Sequence, residues 1–69
     1  MTIHVLMHQG KIVAYHDERD RAAVTGTMML TNNAPGQMLC EWRNNRLFRQ
    51  RSGVWYFSGW EIREVPKCH

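Results

Sequence analysis

The chain has 69 residues, 43% of them hydrophobic, with nine Lys or Arg against six Asp or Glu and a formal charge of +3. A chain this short buries only about 60% of its unfolded surface, so it makes one domain, residues 1–69, with little stability to spare. No apolar run reaches the roughly 20 residues of a membrane helix, two cysteines make no disulfide framework, and residues 1–7 lack the basic leader and cleavage site of a secretory signal; the expected setting is the cytoplasm, with both thiols reduced.

In chain order, Ile3 to Met7 and Lys11 to Tyr15 read as strands about a Gln9-Gly10 turn. A two-residue loop sets Met7 against Ile12, Val5 against Ala14 and Ile3 against His16. The expected apolar face is then Ile3, Val5, Met7, Ile12 and Ala14, with Leu6 and Val13 behind it. From Asp17 the pattern changes to a helix: Asp17 suits the N-cap, and Glu18 and Asp20 complement the positive helix end. Val24 to Thr27 is poor helix interior. Even so, the spacing of Ala22, Gly26 and Met29, and of Ala23 and Leu30, favours one helix running to about Thr31, with Gly26 close to the sheet. The alternative is a short helix followed by a strand at Thr27–Thr31. Residues 32–36 are a loop by composition, and Pro66 to His69 are expected to be a loose tail.

Met38 to Val65 holds all three tryptophans, both phenylalanines and five of the seven arginines. It is broken by Asn44-Asn45, Ser52-Gly53 and Ser58-Gly59, which read as hairpin turns between aromatic and β-branched strands. Two-residue loops at Ser52-Gly53 and Ser58-Gly59 place Phe48, Trp55, Phe57, Trp60 and Ile62 on one face. A three-residue loop, Asn44-Asn45-Arg46, adds Cys40 and Trp42 to that face and sets Glu41 against Arg49. A two-residue loop would oppose Arg43 to Arg46. The outer face then carries Leu39, Glu41, Arg43, Leu47, Arg49, Arg51, Val54, Tyr56, Glu61 and Arg63. The expected fold class is α+β: an N-terminal β-hairpin, one helix, then a four-stranded antiparallel meander. A small SH3-like barrel, with Met28–Leu30 as a strand, is the alternative.

Chemical signatures are missing from the sequence. His4 and His8 on a strand stand about 13 Å apart, too far for one ion, and Cys68-His69 has no second pair at zinc-site spacing. Ser52 and Ser58 occupy turns, as serine commonly does, and no glycine-rich phosphate loop is present. The expectation is therefore no metal, no cofactor and no catalytic site.

What remains is a surface. Residues 35–69 carry the whole positive excess. The register gathers Arg43, Arg46, Arg49, Arg51, Tyr56 and Arg63 as a candidate partner-binding face. Arg and Tyr anchor protein interfaces, and the interspersed Glu41 and Glu61 make a charge mosaic that suits a protein better than a polyanion. The alternative is a small nucleic-acid-binding domain using the same Arg and Tyr face.

A hairpin, a helix opening Asp-Glu-Arg-Asp-Arg-Ala-Ala at Asp17, and a closing strand Gly-Trp-Glu-Ile-Arg-Glu-Val-Pro ending at Pro66 resemble small phage accessory proteins. The pattern is similar to the inhibitors that lytic phages direct at host RNA polymerase and to some anti-CRISPR proteins. The resemblance implies a non-enzymatic inhibitor from a phage or mobile element that binds and blocks a host protein machine, such as RNA polymerase or a CRISPR effector. It covers the order of elements, and it assigns no individual residue a role.

Overall fold

A computed structural model describes residues 2–32 and 38–66. Five strands and one helix follow in the order β1 (Thr2–His8), β2 (Lys11–His16), α1 (Arg19–Asn32), β3 (Cys40–Arg43), β4 (Arg46–Arg51) and β5 (Val54–Pro66). The strands form one sheet in the order β2-β1-β5-β4-β3, every pair antiparallel. The class is α+β, as the sequence implies. The meander, however, has three strands rather than four, and Met28–Leu30 lies inside the helix, so the barrel alternative does not form.

The difference comes from Ser58-Gly59. These residues do not turn the chain back; β5 runs straight through them. Its first half pairs with β4, and residues 60–66 pair with β1. Between the pairs Arg46↔Glu61 and Phe48↔Phe57, β4 contributes Leu47 alone while β5 contributes Ser58, Gly59 and Trp60. The bulge is built from side chains. The Ser58 hydroxyl donates to Leu47 O at 2.6 Å and accepts from the Trp60 N–H at 3.3 Å. Gly59 sits at φ 93°, and a Cβ there would come within 3.2 Å of Gln9 Cγ. Because β5 is shared end to end between two hairpins, the sheet is staggered and the molecule is long, 46 × 20 × 19 Å.

The three true hairpins turn on Gln9-Gly10, Asn44-Asn45 and Ser52-Gly53, with both central residues of each at positive φ. That is the mirror-image turn whose twist matches the flanking strands. At Asn44-Asn45 the loop has two residues, not three: Arg43 pairs with Arg46 and Trp42 with Leu47. The like charges are relieved locally. Arg43 Nη2 lies 2.7 Å from a Glu41 carboxylate oxygen, and its guanidinium rests over Phe48 and Trp55. Asn45 is held in place as well. Its carbonyl accepts from the Ile62 N–H at 2.8 Å and its side-chain oxygen from Arg19 Nε at 2.9 Å.

A one-residue slip moves every side chain of a strand to the other face, and two such slips correct the expected core. In the first hairpin, a bulge after Leu6 shifts the register, so that Leu6 opposes Ala14 and His4 opposes His16, while Met7 still opposes Ile12. The helix-covered face therefore holds Leu6 and Ala14. Ile3, Val5, Met7 and Ile12 alternate to the opposite side. In the second half, Cys40, Trp42, Leu47, Trp60 and Ile62 face the helix, and Phe48, Trp55 and Phe57 do not. The core is Leu6, Ala22, Ala23, Leu47, Trp60 and Ile62, with Ala14, Leu30, Cys40 and Trp42 packed around it. Leu6 and Leu47 are fully buried, each contributing roughly 1.5–3 kcal/mol of transfer free energy.

α1 covers this core over its full length, as the longer helix reading anticipates. Its first backbone bond runs from the Ala22 N–H to Glu18 O, which places Glu18, one residue after Asp17, at the cap position. Ala22, Ala23 and Gly26 face inward. The helix is fastened to β3 by Trp42, whose Nε1–H donates to Thr27 Oγ1 at 2.9 Å while Arg19 lies over its ring. Among the described residues no helix is long and apolar enough to cross a membrane. Most of the expected loop at 32–36 and the Lys67–His69 part of the expected tail, with the Cys68-His69 pair, lie outside the described residues.

Candidate functional site

α1 covers one face of the sheet, and the described residues leave the other open. Alternation along each strand assigns its members. Phe48, Trp55 and Phe57 come from β4 and the first half of β5; Ile3, Val5, Met7, Ile12, Tyr15 and Val65 come from the other end, where Val5 is itself buried at 4% exposure, and Glu61 and Arg63 stand between the two groups. Ile12, Tyr15 and Phe57 are each about half or more exposed, at 55%, 63% and 48%. Scattered exposed apolar residues are ordinary, but a contiguous apolar row on one face marks an interaction site.

The arginines bear on this row directly. Arg43 lies 5.9 Å from the Phe48 ring centre and 5.2 Å from that of Trp55, and Arg46 lies 5.7 Å from that of Phe57. Phe48 and Phe57, opposed across the strands, meet as a tilted pair at 5.8 Å. A guanidinium over an aromatic face is weakly hydrated and keeps its N–H donors at the rim. The result is an aromatic floor with fixed cationic edges. Arg63, paired with Glu61 at 3.4 Å, continues the face towards β1. The charges on this side are Arg43, Arg46 and Arg63 against Glu41 and Glu61, a mosaic only slightly positive.

The six residues expected to share one surface therefore divide between two. Arg43, Arg46 and Arg63 lie on the open face. Arg49, Arg51 and Tyr56 lie on the helix side of the sheet, where Arg49 pairs with Tyr56 and Arg51 with Val54. There they flank a shallow depression near the Ser52-Gly53 tip, beyond the packed core. The residues that sequence reasoning missed are Phe48, Trp55 and Phe57. They read as core because the Ser58-Gly59 hairpin would have aligned them with Trp60. The missed signal is the odd-numbered spacing of Trp55, Phe57 and Glu61: an uninterrupted strand puts the two aromatics on the same side as a charge.

The histidines form no comparable site. His8 stacks on Trp60 with centroids 4.3 Å apart. His4 and His16 are cross-strand neighbours, and His4 Nδ1 lies 3.8 Å from Glu64. No group of three or more His, Cys, Asp or Glu able to hold a metal ion occurs among the described residues. Burial pushes the Cys40 thiol above its ordinary pKa, which is the reverse of nucleophile activation.

Comparison of the chain with protein-family models, with curated proteins and with solved structures found no match.

Proposed function

We propose that this chain is a non-enzymatic protein-binding module whose docking surface is the open sheet face, centred on Phe57 and Trp55 and rimmed by Arg43, Arg46 and Arg63. The observation that carries this reading is the aromatic row Phe48, Trp55 and Phe57 on the face away from the helix, with guanidiniums over it and Phe57 half exposed. Trp and Arg dominate interface hot spots, and aromatic side chains with Arg are enriched where proteins meet. The rings already carry arginines over them, and Glu41 and Glu61 stand among the cations. Both features suit a protein surface with its own apolar centre and mixed-charge rim better than a row of phosphates. The phage or mobile-element origin, and a host machine such as RNA polymerase or a CRISPR effector as the blocked partner, belong to the same proposal. They are supported by the order of elements and the small size, and on this reading the chain acts in the host cytoplasm.

The test begins with a pull-down from host lysate, with and without nuclease, followed by calorimetry of the recovered partner against two sets of variants. Phe57→Ala, Arg43→Ala and Arg46→Ala probe the open face; Arg49→Ala, Arg51→Ala and Tyr56→Ala probe the other side. The expected result is unequal, with at least one open-face variant costing about 2 kcal/mol or more and the second set close to neutral. Binding lost on nuclease treatment, with every arginine weakening affinity alike and lowering the salt slope by about one, would replace the protein partner with a nucleic acid.

A further inference from the structure

We infer that two copies of this chain pair through the free edge of β5, residues Val54–Ser58, in an antiparallel two-fold arrangement centred on Tyr56.

The odd-numbered residues of β5 direct their backbone groups towards the β1 side. Gly59 O accepts from the Gln9 N–H at 2.9 Å, and the even-numbered Ile62 donates the other way, to Asn45 O. The same parity holds at the β4 end. The turn at Ser52-Gly53 closes with Arg51 and Val54 as a hydrogen-bonded pair, so Gln50↔Trp55 and Phe48↔Phe57 are the non-bonded pairs of that ladder. Trp55 and Phe57 thus turn their N–H and C=O outward, on the edge that β1 occupies further along. β1 stops at His8↔Trp60. Beyond it, no strand among the described residues lies along that edge of Val54–Ser58, whose other edge is paired with β4.

Edges of this kind are normally blunted, and here the contrast within one sheet is informative. The outer strand β2 opens with Lys11 and is bulged, and the outer strand β3 has four residues that include Glu41 and Arg43. Residues 53–60, Gly-Val-Trp-Tyr-Phe-Ser-Gly-Trp, carry no charge and no proline. An uncharged aromatic and β-branched run on an open edge is a template for another strand.

The occupant that fits is the same run. With Tyr56 opposite Tyr56 of the second copy, Trp55 falls opposite Phe57 and Phe57 opposite Trp55, and each of these pairs exchanges both backbone hydrogen bonds. On the open face the aromatic row becomes continuous across the axis, and aromatic cross-strand pairs are among the favourable ones. On the helix side the tyrosines meet, and no like charges are opposed. The pairing is bounded. Val54 falls opposite Ser58, and the Ser52-Gly53 tip of each copy meets the Gln9-Gly10 turn of the other, whose Gln9 N–H already holds Gly59 O, so the paired run cannot extend further. This pairing rests on the edge rather than on the docking face, whose side chains stay uncovered and are doubled.

The test is sedimentation equilibrium on wild type, on Tyr56→Lys, on Tyr56→Glu and on an equimolar mixture of the two variants. Tyr56 is half exposed, and circular dichroism checks that each variant is folded. The expected result is a wild-type dimer with a dissociation constant on the order of 10 μM, weakened at least about tenfold in either variant alone by like charges on the axis and restored in the mixture. Amide hydrogen exchange on wild type gives a readout free of mutation: Trp55 and Phe57 should be protected at high concentration and should lose protection on dilution. A wild-type chain that stays monomeric at roughly 500 μM, or a dimer indifferent to both Tyr56 variants with Trp55 and Phe57 amides unprotected, overturns the pairing.

Discussion

Replacing Gly26 by alanine sets two effects of known size against each other. In an exposed helix interior the change stabilises by about 1 kcal/mol. In α1 a Cβ at this position would lie 2.9 Å from Trp42 Cζ2, 3.2 Å from Trp42 Cη2 and 3.1 Å from Leu6 Cδ1. Carbon atoms at rest stand about 3.5–4.0 Å apart, so the ring must retreat by more than half an ångström. It is not free to do so. Its Nε1–H is bonded to Thr27 on the same helix, Arg19 lies over its face, and Leu6 is fully buried. Overpacking of this kind costs about 1–3 kcal/mol, and losing the Trp42–Thr27 bond adds about 1 kcal/mol. The clash wins, and Gly26→Ala should destabilise by roughly 1–3 kcal/mol net. Urea unfolding followed by circular dichroism measures this directly. A double-mutant cycle with Trp42→Phe, which removes both crowding ring atoms, should turn the same substitution neutral or stabilising. If Gly26→Ala stabilised the otherwise unaltered chain by the full helix-propensity gain, the close approach of α1 to β3 would be refuted.

The three tryptophans should separate in stability as they do in position. Trp60, 4% exposed and in the core, should cost about 3–5 kcal/mol on change to alanine. Trp55, partly buried on the face away from the helix, should cost less on change to alanine, about 1–3 kcal/mol from its remaining burial and its contact with Arg43, and a loss equal to that at Trp60 would mean that the open face is covered in solution. At Cys40 the raised thiol pKa lowers the thiolate fraction. Iodoacetamide labelling located by mass spectrometry should therefore be slower there in the folded protein than in urea. The sign for stability follows from the same shift. Cys40's contribution is full below the unfolded thiol's pKa, about 8.5, and is lost as pH rises through the folded value. The urea midpoint of wild type should thus fall more than that of Cys40→Ala above that pH.

Much of the architecture was legible because local chemistry and global fold agree. The change of period at Asp17, the spacing of Ala22, Gly26 and Met29 and of Ala23 and Leu30, and the dipeptides at 9–10 and 52–53 each point to what forms. The errors arose where one local signal has two physical solutions. Ser-Gly serves equally as a hairpin loop and as a bulge whose serine bridges the gap in the ladder; which one forms depends on whether β1 is available to pair with residues 60–66, a contact more than fifty positions away in sequence. At Asn44-Asn45 the opposed arginines, and the loss of Trp42 from the Phe48 face, argue for a three-residue loop; the two-residue loop forms because Phe48 and Trp55 lie on the Arg43 side, where they and Glu41 take up its guanidinium. Once the bulge is recognised, Phe48, Trp55 and Phe57 leave the Trp60 face, and the two-residue loop brings Arg43 and Arg46 to them while keeping Trp42 in the core.

That dependence also explains why the proposed site and the proposed self-association arise from the same few residues. Trp60 and Ile62 are held by the core, so β5 must run along β1 from Gly59 onward. The bulge displaces the preceding residues without changing which face they show. Val54–Ser58 therefore remains in the sheet but past the end of β1, supported on one edge by β4 alone. A strand so placed keeps its odd-numbered side chains away from the helix, which sets Trp55 and Phe57 on the open face, and leaves their backbone groups unpaired, which opens them as an edge. Had Ser58-Gly59 closed a hairpin, the returning strand would have covered that edge and the aromatics would have been core. The two exposures are one consequence of chain continuity at Gly59, and they predict that the face and the edge will be lost or kept together in any variant that alters the bulge.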